Sequence, residues 1–248
     1  MRASTAARRF TVSASADPRA HRAPVLFLVL LAACGPRPPV PVPVRAAHGS
    51  RDLPRVALTF DACSSPRDNR FDTAVVAALE RAGVPATFFL GGRWMEANPE
   101  AVRRLAANPR FELGVHGWTH RHPAALSDAD LCTELDRCAA ELERFTGHRP
   151  ALYRPPYGIA SRRDARIAAG AGFSTIEYDL ASGDPDPVIA AGRLARTAVR
   201  EARNGSIIVF HVNGRGWHTA EALPVILAGL KGRGLQCVTV GNLLAGRP

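Results

Sequence analysis

Residues 54–90 read PRVALTFDACSSPRDNRFDTAVVAALERAGVPATFFL, and the order of patterns inside them decides the fold class. Val56 to Phe60 is an apolar run of strand length, Asp72 stands before Thr73-Ala74-Val75 as a helix N-cap, Gly83 supplies a stop, and Ala86 to Leu90 is a second apolar run. The pattern then repeats. Strand-like runs follow at Phe111 to Val115, Ala151 to Tyr153, Phe173 to Tyr178, Ser206 to Phe210 and Leu235 to Val240, and each but the last precedes a helical pattern. Helix starts are signalled at Asn98-Pro99, at Ser127 with Asp130, and at Ser161, Asp186-Pro187 and Thr219; Gly147, Gly170 and Gly205 are stops. Leu131, Leu135, Cys138, Leu142 and Phe145 form one apolar stripe. About seven strands alternating with helices predict an α/β fold with a parallel sheet, closed into a barrel or doubly wound.

The rest of the composition agrees with one such domain. The chain has 248 residues, 46% hydrophobic and 22% charged, a balance that excludes collagen-like, disordered and multi-span membrane proteins. Its net charge of +10 is not a nucleic-acid signature. Five arginines against Asp17 put +4 of it in residues 1–33, and the remainder alternates with acids, without a basic run or stripe. No nucleic-acid partner is expected.

Residues 25–33, VLFLVLLAA, form an apolar core behind an arginine-bearing stretch and are too short to span a bilayer. The small residues before Cys34 resemble a bacterial lipoprotein processing box, so 1–33 is read as a signal peptide and Cys34 as the lipidated first residue of the mature protein; the alternatives are an ordinary secretion signal or a helix with an incidental cysteine. Residues 34–53 include PRPPVPVPV, which favours extended polyproline and makes a tether, leaving 54–248 as the folded domain. The expected location is the cell envelope on its exported side, with a lipid anchor in the membrane. Without Cys34, Cys63, Cys132, Cys138 and Cys237 remain; Cys132 and Cys138 lie about 120° apart on one helix and are not expected to pair with each other.

The polar residues gather at strand ends. Asp61, His116, Arg154, Asp179 and His211 each follow or close an apolar run, and in a parallel barrel those ends share the face where catalytic groups sit. His116 and His120 bracket a glycine turn, and two imidazoles with a carboxylate suit zinc, with cobalt and nickel as the other candidates.

Taken in order, Thr59-Phe60-Asp61, His116-xxx-His120, Arg154-Pro155-Pro156-Tyr157-Gly158 and Val209-Phe210-His211 resemble the polysaccharide deacetylase family, carbohydrate esterase family four, over about residues 54–245. The resemblance implies a distorted (β/α) barrel and metal-dependent removal of N- or O-acetyl groups from a glycan such as peptidoglycan or a chitin-like oligosaccharide. Carried over by position, His116 and His120 hold one divalent metal ion, Asp61 is the base, and Arg154 orients it. Tyr157 offers its backbone N–H to the oxyanion, and His211 protonates the leaving amine. Trp118 and Trp217 are candidates to stack on a sugar, and Pro155 and Pro156 to line the substrate groove; rim packing is the other reading of each tryptophan.

Two departures qualify that picture. Ala62 stands where the family has a metal-binding aspartate, which leaves the two histidines with water, Asp61 turned toward the metal, or a nearby group such as Cys63. Ala181 stands where the family has the aspartate that pairs with the catalytic histidine, so Asp179 and Asp184 both become candidates. A tethered glycan-binding domain that is catalytically weak or inactive, or a hydrolase of a non-carbohydrate amide, therefore stays open beside the deacetylase. The sequence gives no sign of oligomeric state.

Overall fold

In a computed structural model that describes residues 45–64 and 69–246, the first run becomes β2 (Arg55–Ala62), flanked by β1 (Arg45–Ala46) and, through α1 (Thr73–Ala82), by β3 (Ala86–Leu90). There follow α2 (Gly92–Ala97), α3 (Pro99–Ala106), β4 (Phe111–Val115), α4 (Asp128–Thr146), β5 (Leu152–Tyr153), α5 (Arg162–Gly170) and β6 (Ser174–Ile176). The described chain ends with β7 (Leu180–Ala181), α6 (Ala191–Glu201), β8 (Ile207–His211), α7 (Thr219–Gly232), β9 (Gln236–Cys237) and α8 (Val240–Leu244).

All strand pairings between these elements are parallel, in the order β1-β6-β5-β4-β3-β2-β8-β7, with β9 beside the start of β2. Chain geometry shows that the sheet is curled. From β6 to β7 is six strand spacings, about 29 Å if flat at ~4.8 Å each. Only three residues join Ile176 to Leu180, a reach of at most about 14 Å. The two strands must therefore approach each other around the curl, giving a distorted, open (β/α) barrel.

Strand alternation then sorts the core. Val56, Leu58, Phe60 and Ala62 face outward into the large cluster beneath the helices, where Phe60 stacks between Phe88 and Phe210 at 5.2 and 5.5 Å. Ala57, Phe89 and Ile207 face the concave side and pack with Val240 and Leu243 of α8. Thr59 and Asp61 have the parity of Ala57, and His211 is the lateral neighbour of Asp61 in the β2–β8 register. A sheet buried on both faces explains the near-continuous apolar runs.

The expected caps form at Asp72, Ser127 and Ser161, the last as a reciprocal capping box with Asp164, and Gly83 and Gly147 close their helices in the left-handed region. Other expectations are corrected. Asp186 caps only a turn, accepting from Val188 N, so α6 begins at Ala191, and it ends at Glu201 well before Gly205. The last apolar run yields two residues of strand and then α8, capped by Thr239. The folded part reaches back into the stretch read as tether: Arg45 forms a two-point ion pair with Glu177, and His48 bridges Ser206. Residues 1–44, with the signal peptide and Cys34, lie outside the described residues. No helix among the described residues is long and apolar enough to cross a membrane.

Candidate active site

The C-terminal ends of β2, β4, β5 and β8 surround a cleft of about 100 Å³ lined by Asp61, His116, His120, Tyr157, Gly158, Tyr178, Val209, His211 and Arg215. That is below the ~300–1,000 Å³ of pockets enclosing a whole small molecule, so it suits the reacting group of a larger substrate.

Asp61 is held from beneath. Arg154, fully buried one residue past β5, donates from Nη1 to Asp61 Oδ1 at 2.9 Å and to Thr59 Oγ1 at 2.7 Å, while Nε and Nη2 donate to the carbonyls of Ile176 and Glu177. Its guanidinium also lies over Phe89, 4.2 Å from the ring centre. Burial pushes the Asp61 carboxyl up, but the charge of Arg154 and its hydrogen bond outweigh this and hold the carboxyl below its ordinary range. The arrangement keeps a buried anionic oxygen at the cleft.

His116 leaves β4 with Nδ1 on the carbonyl of Arg154 at 2.8 Å, which directs Nε2 at the cleft, 3.8 Å from Asp61 Oδ2. Burial depresses its basicity, and burial with the neighbouring His116 drives His120 down to about 3, so both rings are neutral and free to donate a lone pair. His120 and Tyr157 are the non-glycine residues with positive φ among the described residues, at 59° and 67°. Strain of this kind clusters at functional sites. Donor atoms of Cys63, His116 and His120 all lie within 4.8 Å of one another. Bonds of about 2.0–2.3 Å to a tetrahedral ion put ligand atoms ~3.3–3.6 Å apart, so small side-chain shifts would close this set on a divalent metal. The residues present fit such an ion.

His211 is oriented from the opposite side. Its Nδ1 meets Asp184 Oδ1 at 2.9 Å and its backbone N–H donates to Asp184 Oδ2 at 2.7 Å, while Ser182 and Thr219 hydroxyls donate to the same carboxylate. Asp184 is therefore the partner of His211. Asp179 is not: it accepts from Arg51, Ser206 and Ile207 N at the start of β8, the opposite end from the cleft. The expectation placed Asp179 at a strand end, but β6 stops at Ile176 and the chain crosses to β7 before reaching it. Close packing around Asp184 also needs Gly216, where a Cβ would fall 2.8 Å from Asp184 Oδ2 and 2.6 Å from the His211 carbonyl.

Five other expected residues divide. Tyr157 sits exposed in the turn Pro156–Gly158, with its ring 5.0 Å from that of His120. Pro155 and Pro156 are buried and shape this turn instead of presenting a face to substrate. Trp118 is 5% exposed, covered by the Arg137 guanidinium at 3.7 Å and packed against Gly92, so it is a core residue and not a sugar platform. Trp217 is 57% exposed beside Phe71, Asp72 and Gly214 and remains available to stack. Arg215 and Asn213, both near Cys63, were not anticipated; their one signal is a position in the loop after β8. Cys63, Cys132, Cys138 and Cys237 are free thiols, and burial pushes Cys138 up to about 12.

With this geometry in place, comparison with known proteins is decisive: the sequence profile described as polysaccharide deacetylase matches residues 48–176. The chain belongs to the polysaccharide deacetylase family. It is similar to a peptidoglycan-N-acetylglucosamine deacetylase of Bacillus cereus, 28% identical over 201 residues, covering 80% of this chain and 71% of the relative. Among solved structures, the Bc1960 peptidoglycan N-acetylglucosamine deacetylase superposes with a TM-score of 0.75 at 26% identity, covering 82% of this chain and 94% of the other. A mutant of BA3943, a family pseudoenzyme of Bacillus anthracis with restored enzymatic activity, superposes with a TM-score of 0.73 at 25% identity, covering 81% and 71%.

Proposed function

We propose that this protein is an exported, lipid-anchored, metal-dependent deacetylase that hydrolyses N-acetyl groups on a cell-envelope polysaccharide, with peptidoglycan as the first substrate to test. One observation carries the reading: Asp61 locked by Arg154 and His211 locked by Asp184 are lateral neighbours facing one cleft that also holds two neutral imidazoles. An acetyl amide needs a base for water and an acid for the departing nitrogen, and the two carboxylate-linked groups supply them separately.

A divalent ion held by His116 and His120, zinc first with cobalt or nickel as alternatives, would supply Lewis acidity toward water and the acetyl carbonyl. Asp61, kept anionic by Arg154, takes the proton of the attacking water. The Tyr157 backbone N–H would donate to the oxygen that gains charge. His211, with Nδ1 fixed by Asp184, delivers a proton from Nε2 to the nitrogen, which cannot leave as an anion. Trp217 at the rim offers a ring for an adjoining sugar.

Acetate release from peptidoglycan and from N-acetylated chitin oligosaccharides tests this. The expected result is release that stops with chelator and returns with zinc or cobalt. A second reading, a glycan-binding domain without turnover, is favoured by Ala62 and by likeness to a pseudoenzyme. Glycan binding with no acetate under any metal would establish that second reading instead. Anchoring through Cys34 rests on the apolar core and the small residues before it, and intact-mass analysis of membrane-fraction protein would show the added lipid.

A further inference from the structure

We propose that the third protein ligand of the metal is the Cys63 thiolate, so that the site is a sulfur-containing Cys-His-His set. The inference rests on the metal-dependent reading above. Ala62 has no donor atom, and its side chain points outward into the helix-covered core. Continuing the alternation of β2, residue 63 returns to the side of Asp61, just where the strand ends and the chain is free to turn inward.

Polar groups surround the sulfur. Cys63 is 1% exposed, yet its Sγ lies within 4.8 Å of donor atoms on both His116 and His120. Asn213 Nδ2 donates to the Cys63 carbonyl at 2.5 Å and to Sγ at 3.3 Å, and the cationic Arg215 side chain is a neighbour of the sulfur. The Asn213 donor aimed at the sulfur orients it as an acceptor, the outer-shell arrangement that fixes a ligand. Asp61, by contrast, is engaged by Arg154 and serves better as the base. Binding would form a metal–sulfur bond and release the thiol proton to solvent. A sulfur ligand selects zinc or cobalt over magnesium, calcium or manganese.

The test is cobalt(II) added to chelator-stripped full-length protein, followed by absorption spectroscopy. One cobalt per chain with an intense near-ultraviolet sulfur-to-cobalt charge-transfer band is expected. Cys63→Ser should remove that band and weaken cobalt binding at least about tenfold, while Cys132→Ser leaves both unchanged. Stoichiometric cobalt without the band in the parent protein, a band that survives Cys63→Ser, or no cobalt binding at all would overturn the proposal. The parent spectrum needs no variant to fold. Acetate release by cobalt-loaded protein lacking the band would contradict the Cys63 ligand alone, whereas the band without acetate release would contradict the deacetylase reading alone.

Discussion

Asp61 and Arg154 bury opposite charges in a place where neither can be spared. Arg154→Met should destabilise the fold by about 3–5 kcal/mol in urea titration, because it leaves a buried carboxylate without its counter-ion. Asp61→Asn should lower kcat by about 10²–10⁴-fold and also lower the melting temperature, because it leaves the Arg154 guanidinium buried without its counter-ion. The pH dependence follows from the directions of the shifts. Asp61 is depressed in the folded state, so its contribution is full above the ordinary carboxylate range and disappears as pH falls through its lower folded value. His120, depressed to about 3, works in the same sense in metal-free protein: the unfolded chain takes up a proton below about 6.5 that the folded chain refuses, so stability declines from there toward pH 3. Thermal melts across that range, with and without zinc, should show the decline and its suppression by metal. At this scale Asp61, His116, Arg154 and His211 were legible because each follows or closes an apolar run, and His120 because it stands four residues from His116 across a glycine turn. Asp184 was not separable from Asp179, since the choice depends on where β6 stops and how the chain crosses to β7.

The elements show where pattern succeeds and where it has nothing to act on. Helices α1, α4 and α5 start at side chains that accept from their own first turns, and Asp72→Ala should therefore cost about 1 kcal/mol in a denaturant titration without altering activity per folded molecule. Strands β1 and β7 have two residues each, too few for any periodicity, and were invisible until the sheet assembled. The six-residue α2 begins at Gly92 with no side-chain cap, which is why it also escaped notice. Trp118 was a candidate to stack on a sugar, but Gly92 lets its ring pack inward and Arg137 covers it.

The whole molecule joins a curled parallel sheet to an N-terminal segment whose sequence reads as an export signal and tether. Curling brings chemistry from β2, β4, β5 and β8 to one rim, and only the three-residue link between β6 and β7 shows that the alternation of strands and helices means a barrel and not an open sheet. If Cys34 carries lipid, Cys34→Ala should move the protein from the membrane to the soluble fraction while the folded domain keeps its activity. The central claim is that this rim removes acetyl groups. Its most direct measurement is the parallel count of acetate released and free amines created on purified peptidoglycan by zinc-loaded protein, with Asp61→Asn as the control. The account predicts equal amounts of the two products from the parent protein and about a hundredfold less, or lower still, from Asp61→Asn. Neither product from the zinc-loaded parent protein, or equal yields from both proteins, would contradict it.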